Sequence, residues 1–543
     1  MSSPRKMAPA AQAIAVLLAA AAACPAAAMA SAVGTSCPGP AGPVAVGTAQ
    51  WNGWGREIGN SRYQPEPAIR ASDVPKLRLK WAHAYAVGGT GSIAAPTADA
   101  AATVDAQPTV VDGRLFAASA SGRVYSLDAV TGCTYWTFDA AAGTRTAIVV
   151  GELGALKRTF GPKKSKVKKK DAHIDVEKPP SAVFFGDDGG AVYALDAQSG
   201  RLLWKTQADG HPLARIAGSP TLYRDRLYVP VASSEARAAE SPQYACCTFR
   251  GSVVALDIGT GRTLWKTYMT GEEPRPYKLN AAGVQLFEPA GAAVATSPAI
   301  DTESETLYVA TGRAYGDAPQ AAAGAIVALN LADGKIAWAK QLPETNTGAD
   351  FDGAPVLRKL SVTRKIVVAA QKSADVYGLD PNRAGDFLWR SKLQIAGAGG
   401  IQWGPAADYR SVYVAFAAPQ DASATSAGGL VALDVATGHL RWAATAPQPP
   451  CSPQAADCSH RQSQAVTVIP GTAFLGSIDG HLRAYSTIDG KVLWDFDTAR
   501  SYSGADGVAV NGGALDRGGA VVVGGMVYVN SGDVLLAFSV DGK

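Results

Sequence analysis

The sequence predicts an all-β protein, an eight-bladed β-propeller in which an N-terminal strand closes the last blade. The first observation is a recurring motif: an apolar-x-Leu-Asp strand, a turn with glycine, and a tryptophan about eight residues after the aspartate. The second is the spacing of these tryptophans, which are 51 to 73 residues apart. They are Trp81, Trp136, Trp204, Trp265, Trp338, Trp389, Trp442 and Trp494. A repeat of this length indicates one structural unit used many times.

Each repeat is predicted to form a four-stranded antiparallel sheet. The segment Tyr125-Ser126-Leu127-Asp128 alternates as a strand does, Thr131-Gly132 supplies a turn, and the strand of Trp136 follows. Two further strands precede most copies, for example at 108–111 and 114–119. Such sheets cannot bury both faces alone, and radial packing around an axis solves this. We therefore expect the tryptophans to pack between blades rather than to take part in chemistry.

The two ends of the repeat region are complementary. The last copy, which includes Ala537 and Gly542, stops before its tryptophan, and the missing half stands near the start as Leu77 to Trp81. An N-terminal strand that completes the last blade would close the ring. The predicted organisation is a signal peptide at 1–30, an N-terminal extension at 31–50 and the propeller at 51–543.

Residues 1–30 have the pattern of a secretory signal peptide. Arg5 and Lys6 are basic, residues 8–23 are apolar, and Ala28-Met29-Ala30 is a small-residue cleavage site. A lipoprotein signal that uses Cys24 is the alternative. No later segment has 18 uninterrupted apolar residues, so we expect a periplasmic or secreted protein without stable membrane insertion.

Composition excludes several classes of protein. Hydrophobic residues reach 47% and charged residues only 18%, which is unlike an intrinsically disordered chain or a coiled coil. The 58 glycines and 33 prolines are spread along the chain and suit turns. A formal net charge of +4 gives no reason to expect nucleic acid as a partner.

Six cysteines follow the predicted signal peptide, an even number that suits an oxidising compartment. Cys451 and Cys458 close a short proline-rich loop, and Cys37 and Cys133 could pair. Cys246 and Cys247 are adjacent; a disulfide between neighbours is strained, so we expect this pair to serve a site rather than to staple the fold. No Cys-x-x-Cys occurs, so the sequence contains no haem attachment motif and no zinc knuckle.

In a propeller the first strand of each blade is innermost, so the residues just before it line one mouth of the central channel. Eight such segments carry an unusual share of arginines, carboxylates and amides: 105–108, 145–147, 215–220, 295–298, 350–353, 402–404, 462–464 and 510–513. This ring is the predicted site. The alternative is a water-filled funnel that only solvates polar side chains.

The repeat resembles that of the quinoprotein alcohol dehydrogenases, eight-bladed propellers that hold pyrroloquinoline quinone (PQQ) on the axis. The resemblance covers about residues 50–543. Longer strings look like the polyvinyl-alcohol dehydrogenase branch of that family. They are Trp54-Gly55-Arg56 with Asn60-Ser61-Arg62-Tyr63, Thr131 to Trp136, Cys246-Cys247-Thr248-Phe249-Arg250-Gly251-Ser252, Gln371-Lys372-Ser373 and Gly399 to Gly404.

The resemblance implies roles for particular residues. Asp352, with Asp350 beside it, stands where the family places the carboxylate that takes the alcohol proton, and Lys372 where a basic residue binds the quinone oxygens. Asp105 matches a carboxylate that contacts the cofactor, and Glu235 lies near a calcium-ligating glutamate. Hard oxygen ligands suit Ca²⁺. Further predicted cofactor-binding residues are Arg145, Arg215, Cys246, Cys247, Gln402, Trp403 and Asn511.

Purely structural roles are the alternatives for these residues. Asp352 could form an Asx turn before a strand, and Lys372 could be a solvated turn lysine. Three residues depart from the family pattern: Ala295 where a tryptophan usually lies under the quinone, Arg313 where a metal-ligating Asn or Asp is usual, and Ala217 in place of a threonine. We therefore expect a tryptophan introduced at Ala295 to tighten quinone binding, unless Arg313 already stacks on the ring.

Two function classes follow. The resemblance implies a periplasmic dehydrogenase for a secondary alcohol or polyol, which passes electrons to a separate cytochrome c or another acceptor. The alternative is a non-catalytic propeller that acts as a protein-interaction scaffold in envelope assembly. The basic run at 163–170 is either a solvated insertion or a docking patch for an acidic cytochrome.

Overall fold

The computed structural model describes residues 36–47, 50–85, 106–154, 180–343, 351, 353–393, 400–417, 428–448, 461–503 and 509–543. Within these residues eight antiparallel sheets of four main strands are each built from consecutive repeats, which confirms the predicted eight-bladed propeller. We number the sheets as blades 1 to 8 in chain order. None of the helices in the described part of the chain is long and apolar enough to cross a membrane.

The strands of blades 1 to 4 run from the innermost to the outermost. Blade 1 contains Thr109–Val111, Arg114–Ala118, Arg123–Asp128 and Thr134–Asp139. Blade 2 contains Val149–Glu152, Ser181–Gly186, Ala191–Asp196 and Leu202–Gln207. Blade 3 contains Thr221–Tyr223, Arg226–Ser233, Ser252–Asp257 and Thr263–Tyr268, with the short strand Ala214–Arg215 paired to the end of its second strand. Blade 4 contains Ala299–Asp301, Thr306–Ala310, Ala325–Asn330 and Ile336–Gln341.

Blades 5 to 8 repeat this order. Blade 5 contains Val356–Lys359, Lys365–Ala370, Asp375–Asp380 and Asp386–Lys392. Blade 6 contains Ala406–Ala407, Ser411–Phe416, Gly429–Asp434 and Leu440–Thr445. Blade 7 contains Thr467–Ile469, Thr472–Gly476, His481–Ser486 and Val492–Asp497. Blade 8 contains Val521–Val523, Met526–Ser531, Val534–Val540 and, as its outermost strand, Leu77–Ala84.

The ring is closed by the N-terminal strand, as the split repeat predicts. Leu77–Ala84 pairs antiparallel with Val534–Val540, with Leu77 opposite Val540 and Ala84 opposite Val534. Strands at the two ends of the repeat region thus share one sheet, which removes the open edge that an incomplete blade would present.

The repeated tryptophans pack between blades, as predicted. The Trp136 indole donates a hydrogen bond of 3.1 Å to the Ala197 carbonyl of the next blade. A Cβ on Gly200, in the turn of that blade, would lie 2.7 Å from the Trp136 ring, and Gly200 has a φ of 73°. Glycine at the turn therefore permits both the left-handed backbone and the close approach of the indole. Trp494 closes the circle by donating to the Leu77 carbonyl at 3.2 Å.

Short elements are added to the blades. The helices are the α-helix Glu235–Ala238 and the 3-10 turns Val74–Lys76 and Pro381–Arg383. Two hairpins are inserted between blades: Arg275–Leu279 with Gln285–Glu288, and Ser501–Ser503 with Ala509–Asn511. Disulfides join Cys37 to Cys133 and Cys246 to Cys247, which confirms both expected pairs.

A segment that precedes the first blade, residues 51–64, fills one end of the central channel; we call it the plug segment. Its polar groups bond to the inner edges of seven innermost strands, because those edges have no neighbouring strand. The partners, by blade, are Val110 in 1, Val150 in 2, Ile300 in 4, Leu357 in 5, Ala407 in 6, Val468 in 7 and Val522 in 8.

Candidate active site

A pocket lies on the propeller axis, above the plug segment. Its wall comes from residues just before the innermost strands of several blades: Arg145, Ala217 to Ser219, Ala295 to Ser297, Ala354, Trp403 and Arg517. The plug segment contributes Trp54. The structure therefore brings together four of the eight predicted mouth segments at this pocket: 145–147, 215–220, 295–298 and 402–404.

Arginines dominate one side of this pocket. Asp188 accepts a hydrogen bond of 2.9 Å from Arg145 Nε and one of 2.7 Å from Arg215 Nη2. Burial lowers the pKa of Arg215, the charges of Arg145 and Arg517 lower it further, and Asp188 opposes them. Two guanidinium groups therefore share the Asp188 carboxylate, and Arg517 is close enough for its charge to act on Arg215. Three positive charges against one negative charge make this side of the pocket positive.

The aromatic ring of Trp403, also in the pocket wall, is held by two charged side chains. The Trp403 indole donates a hydrogen bond of 2.6 Å to Asp516 Oδ1, and the Arg517 guanidinium lies 4.2 Å from the ring centroid. Arg517 and Asp516 precede the innermost strand of blade 8. Their contacts hold the indole plane at the wall of the pocket.

Lys372 lies beside the glycine string of blade 6. It is half-buried in the turn after Lys365–Ala370, and a Cβ on Gly400 would overlap its carbonyl oxygen. Gly400 has a φ of 106°, so glycine is required there on two grounds. Gln402, half-buried, directly precedes Trp403. The segments Gln371 to Ser373 and Gly400 to Gly404, which are separate in the sequence, are therefore in contact in the structure.

Glu235, the predicted calcium ligand, is bonded to protein groups in the structure. Its buried carboxylate accepts hydrogen bonds from the main-chain N–H groups of Thr248, at 2.7 Å, and Phe249, at 2.8 Å. The Tyr244 hydroxyl donates to it at 3.1 Å, and His211 Nε2 lies 3.6 Å away. The glutamate thus anchors the loop that follows the cysteine pair.

The adjacent cysteines form their disulfide in the insertion of blade 3. Cys247 is buried, Cys246 is half-buried, and the Cys246 carbonyl accepts a hydrogen bond from the Phe287 N–H at 2.7 Å. Neither residue lines the axis pocket. Among the described residues, no group of three or more His, Cys, Asp or Glu side chains is placed to hold a metal ion. Calcium at Glu235 stays a prediction from the resemblance.

Asn511 and Arg313 also lie outside the set of residues that line the axis pocket. Asn511 is exposed in the inserted hairpin, where its Oδ1 accepts a hydrogen bond of 2.8 Å from Ser501. Residues 510–513 were predicted to form the mouth segment of blade 8, but Asp516 and Arg517 occupy that position. Arg313 is exposed, and its carbonyl bonds to the Ala292 N–H at 2.9 Å. It is not among the residues that line the axis pocket.

Several predictions concern residues outside the described part of the chain: Asp105, Asp350, Asp352, the basic run at 163–170, and Cys451 with Cys458. Their roles stay predictions. The described residues next to the two aspartates are Phe351 and Gly353, both buried. Ala354, the residue after Gly353, lines the pocket.

Sequence reasoning missed four residues of the site. Trp54 stood in a quoted string but was given no role. Asp188 sits in a turn and Asp516 with Arg517 in a loop, where polar residues are common and carry little information. Trp54 could have been found as a large aromatic residue in a segment that lacks the alternating pattern of a strand.

The fold is an eight-bladed propeller with a positive, aromatic-lined pocket at its axis, and comparison with known proteins identifies its class. The family model described as glucose/ethanol/alcohol dehydrogenase, β-propeller domain (PQQ), matches residues 51–394. The chain belongs to this family of PQQ-dependent dehydrogenases. A second model, outer membrane protein assembly factor BamB, matches residues 372–543.

Individual relatives narrow the class. The chain is 38% identical over 532 residues to the polyvinylalcohol dehydrogenase of Pseudomonas sp., with 91% of this chain and 77% of that protein covered. It is 37% identical over 539 residues to the polyvinylalcohol dehydrogenase of Sphingopyxis sp., with the same coverage. The quinohemoprotein alcohol dehydrogenase structure from Comamonas testosteroni has a TM-score of 0.62 at 17% identity and covers 91% of this chain and 81% of its own; it supports the fold alone.

Proposed function

We propose that this chain is an exported PQQ-dependent dehydrogenase that oxidises secondary alcohol groups of a polyol or polyvinyl alcohol. The single observation that carries the proposal is the axis pocket, in which clustered arginines and two indoles converge. Family membership supports the cofactor, and the names of the similar proteins support the substrate class. Export rests on the signal-like residues 1–30.

The charges and donor groups around the axis pocket have the chemistry that suits PQQ, a planar aromatic quinone with three carboxylates. Arg145, Arg215 and Arg517 supply charge of the opposite sign and planar donors that suit carboxylates. Two buried polar atoms near them, Arg215 Nε and Thr296 Oγ1, have no hydrogen-bond partner in the protein. Buried polar groups are normally paired, so these atoms suit a ligand that completes them.

The chain's own contribution to the reaction is binding, positioning and proton transfer. PQQ, when bound, supplies the acceptor for the hydride of the alcohol carbon. We assign the alcohol proton to the Asp352 carboxylate, on the resemblance, and the quinone-facing charge to Lys372. The resemblance implies Ca²⁺ as a second cofactor. A Ca²⁺ ion at Glu235 would have to share the carboxylate with protein donors, because both of its oxygens already accept main-chain hydrogen bonds.

A separate cytochrome c is the proposed electron acceptor. The support is that the sequence contains no Cys-x-x-Cys-His motif to hold a haem covalently. The scaffold alternative has less support, because the BamB model matches only residues 372–543 and so leaves out Arg145, Asp188 and Arg215.

The test is reconstitution of the purified protein with PQQ, with and without Ca²⁺. PQQ binding is measured by equilibrium dialysis, and dye-linked oxidation is compared for secondary alcohols, polyvinyl alcohol oligomers and primary alcohols. We expect PQQ binding and a preference for secondary alcohols. Recovery of the protein from periplasmic extract tests export. Absence of PQQ binding under both conditions would exclude the proposed function.

Asp352→Asn tests the proton acceptor. The amide cannot take the proton, so turnover should fall on the order of 10²- to 10⁴-fold while PQQ affinity stays unchanged. Asp350→Asn tests the alternative base and should retain activity if Asp352 takes the proton. If the two variants behave in the opposite way, Asp350 is the base.

A further inference from the structure

The plug segment leaves out one blade. After Asn52, which bonds to blade 2, its next hydrogen bond to an innermost strand is made by the Ile58 carbonyl, in blade 4. The innermost strand of blade 3 is Thr221–Tyr223. Its middle residue, Leu222, has the same hairpin register as Val110 of blade 1, so its N–H and carbonyl lie on the inner edge of the blade. No hydrogen bond joins these two groups to any described residue.

The gap at blade 3 follows from the local structure of residues 53–57. Glu57 folds this stretch back on the plug segment, because its carboxylate accepts the N–H groups of Gly59, at 2.6 Å, and Ser61, at 2.8 Å. A Cβ on Gly55 would lie 2.3 Å from a main-chain atom of the same segment, so only glycine permits this close approach. The loop therefore closes on itself and stops short of blade 3.

A cavity of about 490 Å³ lies in this gap, a size typical of ligand pockets. Leu222, Tyr223 and Arg224 line one side of it, and the plug segment and the innermost strand of blade 2 line the other. Arg224, in the turn that follows the strand, is exposed, so the cavity reaches solvent at that end. The axis pocket is lined by residues that precede the innermost strands. The two sites therefore open toward opposite ends of the channel.

One buried donor of the cavity also has no partner. Arg56 lines the cavity, and its Nε is buried without a hydrogen bond to the protein. Glu57 is not available to it, since both carboxylate oxygens accept plug-segment N–H groups. The other charged groups of the lining, Glu152 and Arg224, are of opposite sign, so net charge does not select a ligand. Buried polar groups are normally paired, so the cavity suits a ligand that offers an acceptor to Arg56 and both an acceptor and a donor to Leu222.

Two other blades show which chemistry pairs with such an edge. In blade 1 an extended residue does so: Trp51 donates its N–H to the Val110 carbonyl and accepts the Val110 N–H, both at 2.9 Å. In blade 2 a side-chain carboxamide does the same: Asn52 donates to the Val150 carbonyl and accepts the Val150 N–H, both at 2.8 Å. Both partners are amides that present N–H and carbonyl side by side.

We infer that this cavity binds an extended peptide segment of a partner protein, in which one residue pairs with Leu222 as Trp51 pairs with Val110. Main-chain hydrogen bonds to an exposed strand edge are a common way to bind a peptide. A peptide also carries further carbonyl oxygens, one of which can accept from Arg56 Nε, whereas a single small carboxamide has only one. The partner would be held at the end of the channel away from the axis pocket, whose own mouth stays free.

The first test measures hydrogen exchange of single amides in the wild-type protein, by mass spectrometry with fragmentation that resolves residues. Ile300 is the reference, because its N–H donates to the Ile58 carbonyl at 2.7 Å. The Leu222 amide should exchange at least about tenfold faster than that of Ile300, since it needs no opening of a hydrogen bond. Equal rates would mean that the inner edge of blade 3 is covered and would overturn the site.

The second test adds a neutral capped tripeptide, acetyl-trialanine amide, at millimolar concentration. Exchange at Leu222 should slow about 3- to 10-fold, the range that a neutral hydrogen bond supplies, and exchange at Ile300 should not change. The fully N-methylated tripeptide is the control: it should bind about tenfold more weakly or less, because it leaves the Leu222 carbonyl without a donor. Failure of the tripeptide to slow exchange would overturn the inference, and slowing by acetamide alone would show a small-carboxamide site instead.

Arg56→Lys tests the second contact, with Arg358→Lys as the matched control. Arg358 Nε is also buried without a partner, but this guanidinium lies 4.8 Å from the Tyr409 ring centroid and does not line the cavity. Ligand-detected NMR titration with the tripeptide should give an affinity about 3- to 10-fold lower for Arg56→Lys and unchanged for Arg358→Lys. Unchanged affinity in Arg56→Lys, or an equal loss in both variants, would contradict the contact with Arg56. None of these measurements uses PQQ, so their outcome is independent of the proposed function.

Discussion

Arg145→Gln is the most direct test of the positive side of the axis pocket. Arg145 lines the pocket and is half-buried, and its Nε donates to Asp188 at 2.9 Å. The glutamine keeps a hydrogen-bonding side chain but removes the charge. Asp188 would then retain Arg215 alone, so the local charge facing an anionic ligand becomes less positive by one unit.

The magnitude follows from the contacts. A hydrogen bond to a charged group contributes about 1.5 to 3 kcal/mol, and every 1.4 kcal/mol is tenfold in affinity. We therefore expect PQQ affinity to fall about 10- to 100-fold at low salt. The deficit should shrink at 0.5 M NaCl because screening shortens the range of the remaining charges. Equilibrium dialysis at both salt concentrations measures this.

Arg123→Gln is the matched control. Arg123 also pairs with an aspartate, Asp139, at 2.6 Å, but on the outer strands of blade 1. Its PQQ affinity should stay within about twofold of wild type, since exposed ion pairs contribute little. Equal affinities of Arg145→Gln and wild type at low salt would refute the assignment of the arginine cluster to the cofactor.

Two further predictions concern stability. Glu235→Gln should lower the free energy of unfolding by about 2 to 4 kcal/mol with or without Ca²⁺, because two main-chain N–H groups lose a charged acceptor. If Ca²⁺ instead raises the melting temperature of the wild type and not that of the variant, Glu235 is a calcium ligand. Burial raises the pKa of Tyr228 to about 12. This phenol therefore stabilises the fold below pH 10 and loses that contribution between pH 10 and 12, about 2 to 3 kcal/mol, so urea unfolding of Tyr228→Phe should show a smaller alkaline loss than wild type.

The blade architecture could be predicted because its determinants are local and repeated. Each tryptophan, glycine turn and alternating strand lies within a few dozen residues, and the incomplete first and last copies disclose the closure. The plug segment has no such signature. Its contacts join residues as far apart as Gln64 and Val522, so its position follows only from the completed ring.

The mouth of blade 8 shows how an insertion displaces a prediction. By analogy with the other blades, the sequence predicts that residues 510–513, with Asn511, form the mouth segment just before the innermost strand. The hairpin formed by Ser501–Ser503 and Ala509–Asn511 intervenes, and the residues that reach the pocket are Asp516 and Arg517. Two short strands with no tryptophan repeat give no sign that they lie outside the blade.

Asp187 and Asp188 show why part of the site is invisible to sequence reasoning. The two adjacent aspartates occupy one turn of blade 2 and have the same local preference for turns. Asp187 follows that preference, since its Oδ1 accepts the N–H groups of Gly189 at 3.0 Å and Ala191 at 2.8 Å. Asp188 instead bonds to Arg145 and Arg215, which precede the innermost strands of two different blades. The direction of each side chain relative to the axis decides which carboxylate forms the turn and which one positions the arginines. That direction exists only once eight sheets have packed around a common centre.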